Sequence, residues 1–417
     1  MARPVRWRRC APYVLAAVPW LIPRIVAADG AGQAPAGSPP TSAPVIGGDN
    51  AAAGKWPDAA AILFPGTSGD EARCSGTLVA PSIVLTAGHC YDSLDPPLPD
   101  NVLVGASSLA DPRRGETIAI KRGYRFPDAE NTEDITVLVL ARASTRQPRK
   151  IATGWARADL VNGAAISLVG FGAVNPNGDQ FVNELQEASS TITDFDCSTS
   201  PGCKAAAQPA GELGAGGMGV DTCPGDSGGP LYLTPGYGAF LAGITSRAYD
   251  NANVPCSEGG IYVRPDKVID WIEEKAGGTI AHGPEPEAEP IAAVHGDGGT
   301  TRISVNDPMS NAHSFEITTP PAHGMAKLRS DGAVRVCTDP TAAPGDDALI
   351  VTITDTRHAG RALAITIPIQ IQSGTSPAMP CNLDDFDTGG CCDSRGRSDG
   401  AILLTIGVLG LVMRRRR

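Results

Sequence analysis

A glycine-rich segment carries the residue best suited to act as a nucleophile. Ser227 lies in Asp221–Leu231, which has the sequence DTCPGDSGGPL. The flanking glycines leave the serine hydroxyl accessible and allow backbone N–H groups to converge on one point. Acyl transfer requires both features, because the hydroxyl attacks the carbonyl and the N–H groups stabilise the oxyanion. The segment therefore predicts a nucleophilic serine rather than an ordinary Gly/Ser turn.

A serine hydroxyl must lose its proton to a base, and the base needs a group that orients it. His89 lies in the segment LTAGHC, and Asp134 opens the apolar run DITVL. Asp128 and Glu133 are nearby alternatives for the orienting acid, but only Asp134 begins a predicted strand. An α/β-hydrolase is excluded, because the G-x-S-x-G motif and the order Ser, Asp, His are both missing.

These motifs together resemble the trypsin-like serine peptidases, over Val45 to about Gly277. The matching segments are CSGTL from Cys74, LTAGHC, DITVL and GDSGGP, in the family's order. The resemblance implies an all-β fold of two six-stranded antiparallel β-barrels, chymotrypsin-like, with a C-terminal helix. It implies that Ser227 is the nucleophile, that His89 is general base and then general acid, and that Asp134 holds the imidazole tautomer. The N–H groups of Gly225 and Ser227 would form the oxyanion hole.

The resemblance also implies a primary specificity pocket with Asp221 at its base, which favours cleavage after Arg, with Lys second. An internal pairing of Asp221 with a residue such as Arg264 is the alternative. Arg247 stands where the family often has tryptophan, which weakens the apolar shelf beside the pocket. The pocket walls would include Ser246, Ala248 and Gly260.

The segment VIGG from Val45 resembles the mature N-terminus of the family, whose new α-amine pairs with the aspartate before the nucleophile, here Asp226. The resemblance implies that the chain is a zymogen until it is cut. Pro44 precedes Val45, where a trypsin-like cut would need Arg or Lys. We therefore expect activation by another protease or by stepwise trimming.

Eleven cysteines, ten of them beyond residue 28, indicate an oxidising compartment. The resemblance implies the disulfides Cys74–Cys90 and Cys223–Cys256. Cys197 and Cys203 are close in sequence and free to pair, Cys337–Cys381 is a further suggestion, and Cys391 and Cys392 are left unassigned. No CxxC pair is present and the six histidines are scattered, so we expect no metal and no cofactor.

The overall charge is acidic. The chain has 417 residues and a net charge of −11. Loss of the first 28 residues and the last four would remove nine of the 34 basic residues and none of the 45 acidic ones, leaving a net charge of −20. Such a chain repels nucleic acid. We expect protein or peptide substrates and a monomer.

The chain divides into several predicted regions. Residues 1–28 combine arginines with an apolar stretch and predict a signal peptide, and 29–44 are a propeptide or linker. Within the protease domain, 45–277, short apolar runs predict strands, and Pro265–Lys275 predicts an amphipathic helix. Residues 278–290 form a second linker rich in Pro and Glu.

The remaining residues form a module and a tail. Residues 291–373, with strands predicted at Ile303–Val305, Ala348–Ile353 and Ala362–Ile371, resemble a cadherin-like or immunoglobulin-like β-sandwich, a spacer or adhesive unit. Residues 374–417 resemble a myxobacterial-type sorting tail, with a Gly-Cys cluster, an apolar run and four arginines. The run of about 13 residues is short of the roughly 20 that span a bilayer. We expect transient membrane attachment, then a secreted or cell-surface protein. Two rival functions are a catalytically inactive binding module and adhesion through 291–373.

Overall fold

The structure is a computed structural model and describes residues 45–67, 69–92, 96–127, 133–204, 211–310, 312–358 and 360–386. The predicted signal peptide, the predicted propeptide, and the tail from residue 387 with Cys391 and Cys392 lie outside the described residues. The first strand, β1 (Asp49–Asn50), is short. Within the described part of the chain, no helix has the length and apolar character needed to cross a membrane.

The first barrel is closed by six antiparallel strands in the order β2-β3-β4-β7-β6-β5. Alternate apolar side chains of these strands, such as Ile62, Val84 and Leu138, fill its interior with no exposed surface. The strands are β2 (Ala59–Gly66), β3 (Gly69–Ala80), β4 (Ile83–Thr86), β5 (Asn101–Val104), β6 (Glu116–Arg125) and β7 (Thr136–Leu140).

The second barrel is also closed by six antiparallel strands, because β8 pairs with both β9 and β11. β1 adds to the free edge of β9. The strands are β8 (Ala165–Gly170), β9 (Gln186–Asp194), β10 (Glu212–Ala215), β11 (Pro230–Leu233), β12 (Phe240–Ala248) and β13 (Gly260–Val263).

The predicted C-terminal helix is present, with a different start. Pro265–Lys267 form a 3-10 turn, and the α-helix α2 spans Ile269–Ala276. Gly277 ends it with φ of 73°, a left-handed conformation that glycine adopts without strain. The two six-stranded barrels and this helix confirm the fold class expected from the sequence.

Four disulfides join described cysteines. The structure pairs Cys74 with Cys90 in the first barrel, and Cys223 with Cys256 in the second. The remaining pairs are Cys197–Cys203 and Cys337–Cys381.

The C-terminal module consists of two further sheets. One has the order β14-β20-β19-β16 and the other the order β15-β18-β17. The strand expected at Ile303–Val305 is wrong, because β15 ends at Arg302 and Ser304 makes only an isolated bridge with Glu287. The strands are β14 (Ile291–Val294), β15 (Gly298–Arg302), β16 (His313–Thr319), β17 (Gly324–Leu328), β18 (Ala333–Thr338), β19 (Gly345–Asp355) and β20 (Ala362–Gln372).

The module packs against a short helix of the region that carries the two barrels, α1 (Gly154–Ala158). Trp155 of this helix is fully buried in the apolar cluster of the module and donates its indole N–H to the Val305 carbonyl at 2.7 Å. Arg361 of the module forms an ion pair with Asp159. In the segment between the two regions, the Pro284 carbonyl accepts the Trp155 backbone N–H at 2.8 Å.

Candidate active site

The histidine and the aspartate singled out in the sequence meet at the rim of the first barrel. His89 lies in a 3-10 turn, Gly88–Tyr91, directly after β4, and Asp134 lies just before β7, the neighbour of β4. The Nδ1 atom of His89 is 2.8 Å from Oδ2 of Asp134. The backbone N–H of His89 donates to Oδ1 of the same carboxylate, also at 2.8 Å. The Nδ1 contact orients the imidazole and sets its tautomer, and the backbone bond holds the carboxylate in position.

Asp134 has a further partner, Ser246, which the family resemblance implies only as part of the pocket wall. The hydroxyl of Ser246, on β12 of the second barrel, donates to Oδ2 of Asp134 at 2.8 Å. Burial acts to raise the pKa of Asp134, but the hydrogen bonds from His89 and Ser246 and the His89 charge hold it below its usual value. The carboxylate is therefore kept ionised although it is only 7% exposed.

The loop that carries Ser227 is held against the first barrel. The Ser227 carbonyl accepts the backbone N–H of Ser75 at 2.8 Å and lies 3.7 Å from Sγ of Cys90, the residue after His89. Gly228 approaches so closely that a Cβ there would come within 2.6 Å of the Ala87 nitrogen. Ser227 therefore lies beside the turn that carries His89. The structure records no hydrogen bond between the side chains of Ser227 and His89, both of which are described.

The two N–H groups expected to bind an oxyanion have no hydrogen-bond acceptor among the described residues. They belong to Gly225 and Ser227. Gly225 has φ of 96°, which a residue with a Cβ adopts only with strain. Its carbonyl accepts the Ser75 hydroxyl at 3.0 Å, which anchors the peptide from the opposite side. The arrangement leaves two donors available to a developing negative charge.

A cavity of about 260 Å³ opens beside Ser227, with Asp221 in its lining. The Asp221 carboxylate is 2% exposed and accepts backbone N–H groups from Thr222, Ser257 and Gly259 at 2.8 to 3.0 Å. Burial raises the pKa of Asp221 to about 6, although these N–H groups act in the opposite direction. Other lining residues include Ser246, Arg247, Ala248, Pro255 and Gly260.

The structure does not pair Asp221 with Arg264. The Arg264 guanidinium instead makes a bidentate ion pair with Asp266, at 2.9 and 3.1 Å. Asp221 makes no ion pair with any described cation, so a positively charged group entering the cavity would meet a carboxylate that only backbone N–H groups contact.

The segment expected to become the N-terminus is already buried in this uncut chain. Val45 is 0% exposed and packs in the apolar core of the second barrel. Asp226, also 0% exposed, accepts the N–H groups of Gly172 at 2.8 Å and Cys223 at 2.9 Å. Burial raises the pKa of Asp226 to about 7, the two N–H groups oppose the rise, and the nearby Asp221 charge adds to it.

Two clusters of described residues have the spacing of metal ligands, but their cysteines are not available as ligands. One is Cys74, His89 and Cys90, and the other is Cys197, Cys203 and Glu212. In each cluster the two sulfurs are joined in a disulfide, so no thiolate is left to bind a metal. Neither cluster is a metal site in the oxidised protein.

Similarity to known proteins covers both barrels. The family model named Trypsin matches residues 45–272. The mouse protein Transmembrane protease serine 11C is 30% identical over 240 residues, which cover 56% of this chain and 54% of that protein. Mouse Kallikrein 1-related peptidase b3 is 30% identical over 234 residues, which cover 51% of this chain and 81% of that protein. The chain thus spans about half the length of the first relative.

A solved structure is also similar to this chain. The VesB protease of Vibrio cholerae has a TM-score of 0.44 and 21% identity, over 79% of this chain and 100% of that one. The family assignment rests instead on the Trypsin model, which matches more than half of the sequence. The chain belongs to the trypsin family of serine endopeptidases.

Proposed function

We propose that the protein is a secreted endopeptidase that hydrolyses peptide bonds after Arg, and after Lys second, through an acyl-enzyme. One observation carries the proposal: Asp221, which is 2% exposed, and the more exposed Ser227 line the same cavity. A bound Arg side chain would place its guanidinium on the Asp221 carboxylate and its own carbonyl carbon near Ser227. The two groups therefore couple recognition to bond cleavage.

In the proposed mechanism, Ser227 attacks the substrate carbonyl while His89 accepts the hydroxyl proton at Nε2. Asp134 supports this step, because its bond to Nδ1 leaves Nε2 free to accept and because its charge stabilises the imidazolium. The same proton then passes to the leaving amine. Water attacks the acyl-enzyme in the second half-reaction, with His89 again acting as base.

The oxyanion of each tetrahedral intermediate would be bound by the N–H groups of Gly225 and Ser227. Loss of one such donor costs roughly 10²–10³-fold in kcat in serine peptidases. The free donors support this role, because neither is occupied by another described residue.

The specificity for Arg follows from the environment of Asp221. A carboxylate that is 2% exposed and has no cationic partner among the described residues gains most from a planar cation that donates two hydrogen bonds. A cation at this position would also draw the raised pKa of Asp221 down. Ala248 and Gly260 line the pocket, where a larger side chain would obstruct a long substrate residue.

We further propose that cutting before Val45 activates the enzyme. The released α-amine would compensate Asp226, whose raised pKa reflects a buried carboxyl that pairs with no described cation. In the same proposal, residues 1–28 direct secretion, 45–277 form the catalytic domain, and 291–373 form a module docked on it. The tail, 374–417, would attach the protein transiently to a membrane before release.

The test is a peptide-library cleavage profile of the purified secreted protein, with its N-terminus sequenced. We expect an N-terminus at Val45 and cleavage after Arg, then Lys. The variant Ser227→Ala, purified in parallel, controls for contaminating proteases and should be inactive. A profile dominated by aromatic or small aliphatic residues would refute the assignment of Asp221, and full activity in Ser227→Ala would refute the mechanism.

A further inference from the structure

We propose that Arg247, with Glu212, is a positioning residue for the triad: it fixes the direction in which the Ser246 hydroxyl donates, and through it the Asp134 carboxylate. The inference rests on the proposed function and names a further residue pair for the same reaction. Arg247 stands where tryptophan is common in the family, so this chain has a positive charge beside the active site at that position.

The Arg247 guanidinium is held from two sides. Its Nη1 and Nη2 atoms donate to the two carboxylate oxygens of Glu212 at 2.7 and 2.9 Å, a bidentate pair. Nη2 also donates to the Gly202 carbonyl, within the loop closed by Cys197–Cys203, at 2.8 Å. The Glu212 side chain is 0% exposed, so the orientation of the guanidinium is fixed by a buried partner.

A β-bulge brings this guanidinium to the triad. The pairing of β12 with β13 shifts register between Thr245 and Arg247, so that Ser246 is an extra residue without a partner on β13. Bulges re-aim side chains and often occur next to active sites. Here Nη1 of Arg247 lies 3.3 Å from Oγ of Ser246.

The contact with Arg247 therefore restricts the direction in which the Ser246 hydroxyl can donate its hydrogen. A guanidinium carries donors and no acceptor, so at this contact the Ser246 oxygen accepts. Its own hydrogen is then directed to Oδ2 of Asp134, 2.8 Å away. The same Oδ2 atom binds Nδ1 of His89, so a rotated Ser246 hydroxyl would change the charge that the imidazole meets.

Other charged groups face the carboxylate from the first barrel. Arg125 on β6 lies beside Gly88, next to the carboxylate, and is paired with Asp92 at 3.0 Å. Glu133 precedes Asp134 in the chain. Removal of both Arg247 and Glu212 leaves these groups in place and leaves the net charge of the protein unchanged.

The experiment compares the double variant Arg247→Met/Glu212→Gln with the parent, both starting at Val45, on a peptide with Arg before the cut. Arg247→Met alone would leave the Glu212 carboxylate buried without its cation and destabilise the fold, so the double variant is measured. We expect kcat to fall about tenfold, in addition to any change in KM that arises because Arg247 also lines the substrate cavity. The acid limb of the kcat/KM profile should move up by about half a pH unit, because Asp134 loses a directed donor and stabilises the imidazolium more.

The matched control is Arg264→Met/Asp266→Asn, which removes a bidentate pair of similar geometry that makes no contact with the triad. It should leave kcat and the acid limb at their parent values. A double variant at 247 and 212 with the parent's kcat and acid limb, or with a change in KM alone, would overturn the inference. An inactive parent chain would overturn the proposed function and this inference with it, whereas an active parent with an unaffected double variant overturns this inference alone.

Discussion

The buried carboxyl of Asp226 should make the stability of the uncut chain depend on pH in an unusual direction. Its pKa is about 7 in the folded chain, against an ordinary value of 3.8. The folded state therefore holds the proton more tightly than the unfolded state. The resulting stabilisation is fully present below about pH 4 and is lost as the pH rises through about 7.

The magnitude follows from the size of the shift. About three pH units at roughly 1.4 kcal/mol each give about 4 kcal/mol. Asp221, with its pKa raised to about 6, also makes the folded state less stable as the pH rises, between about pH 4 and 6. The carboxyls with lowered pKa values, such as Asp134 and Asp355, change stability only below about pH 4. The contributions of the two raised carboxyls therefore fall in the interval from pH 4 to 8, and the comparison with Asp226→Asn separates the part due to Asp226.

The assay is urea unfolding of the full chain at several pH values, in a Ser227→Ala background that prevents self-digestion. We expect the free energy of unfolding to fall between pH 4 and 8. The additional change Asp226→Asn should reduce that fall by about 4 kcal/mol. In a chain that starts at Val45, the α-amine should reduce it similarly. An equal fall in the uncut chain, the cut chain and the Asp226→Asn variant would refute the reasoning.

Three further predictions concern separate parts of the molecule. Asp221→Ser should cost an Arg substrate about 3–5 kcal/mol in kcat/KM, and an equal loss for a Phe substrate would contradict the pocket assignment. Asp134→Asn should lower kcat by roughly 10⁴-fold because it favours the wrong tautomer of His89, so near-normal steady-state rates would contradict its role. Trp155→Ala should lower the free energy of unfolding by about 3–5 kcal/mol, and a change below about 1 kcal/mol in urea unfolding would show that the indole does not anchor the module.

The sequence could predict the candidate site because its motifs are local. Each of His89, Asp134 and Ser227 lies in a short segment whose neighbours have a direct structural task, such as the positive φ of Gly225. The fold class could be predicted for the same reason, since apolar runs of strand length alternate with turns. Packing of the two barrels then brings the segment with Ser227 next to the segments with His89 and Asp134.

Pairs formed across the fold could not be predicted. Glu212 and Arg247 are 35 residues apart, on strands separated by β13, and no local pattern links them. Trp155 and Val305 are 150 residues apart, and an apolar residue in a short helix gives no sign that it enters another module. Such contacts depend on packing between elements rather than on local sequence preference.

The wrong strand at Ile303–Val305 has a different cause. Alternation of apolar and polar residues reports which side chains are buried, and Ile303 is indeed only 4% exposed. A strand also requires a partner for its backbone. Here the Ile303 N–H donates to Gly332 and Ser304 bridges to Glu287, which does not extend into a ladder.

The most direct test of the central claim is labelling of the protein by a fluorophosphonate probe, with the modified peptide identified by mass spectrometry. The mature chain from Val45 should carry the adduct on Ser227 alone, because only a serine activated by His89 attacks phosphorus at a useful rate. His89→Ala should abolish the labelling while leaving the folded structure intact. An adduct on another residue, or a mature chain that cleaves peptides without being labelled at Ser227, would contradict the proposed mechanism.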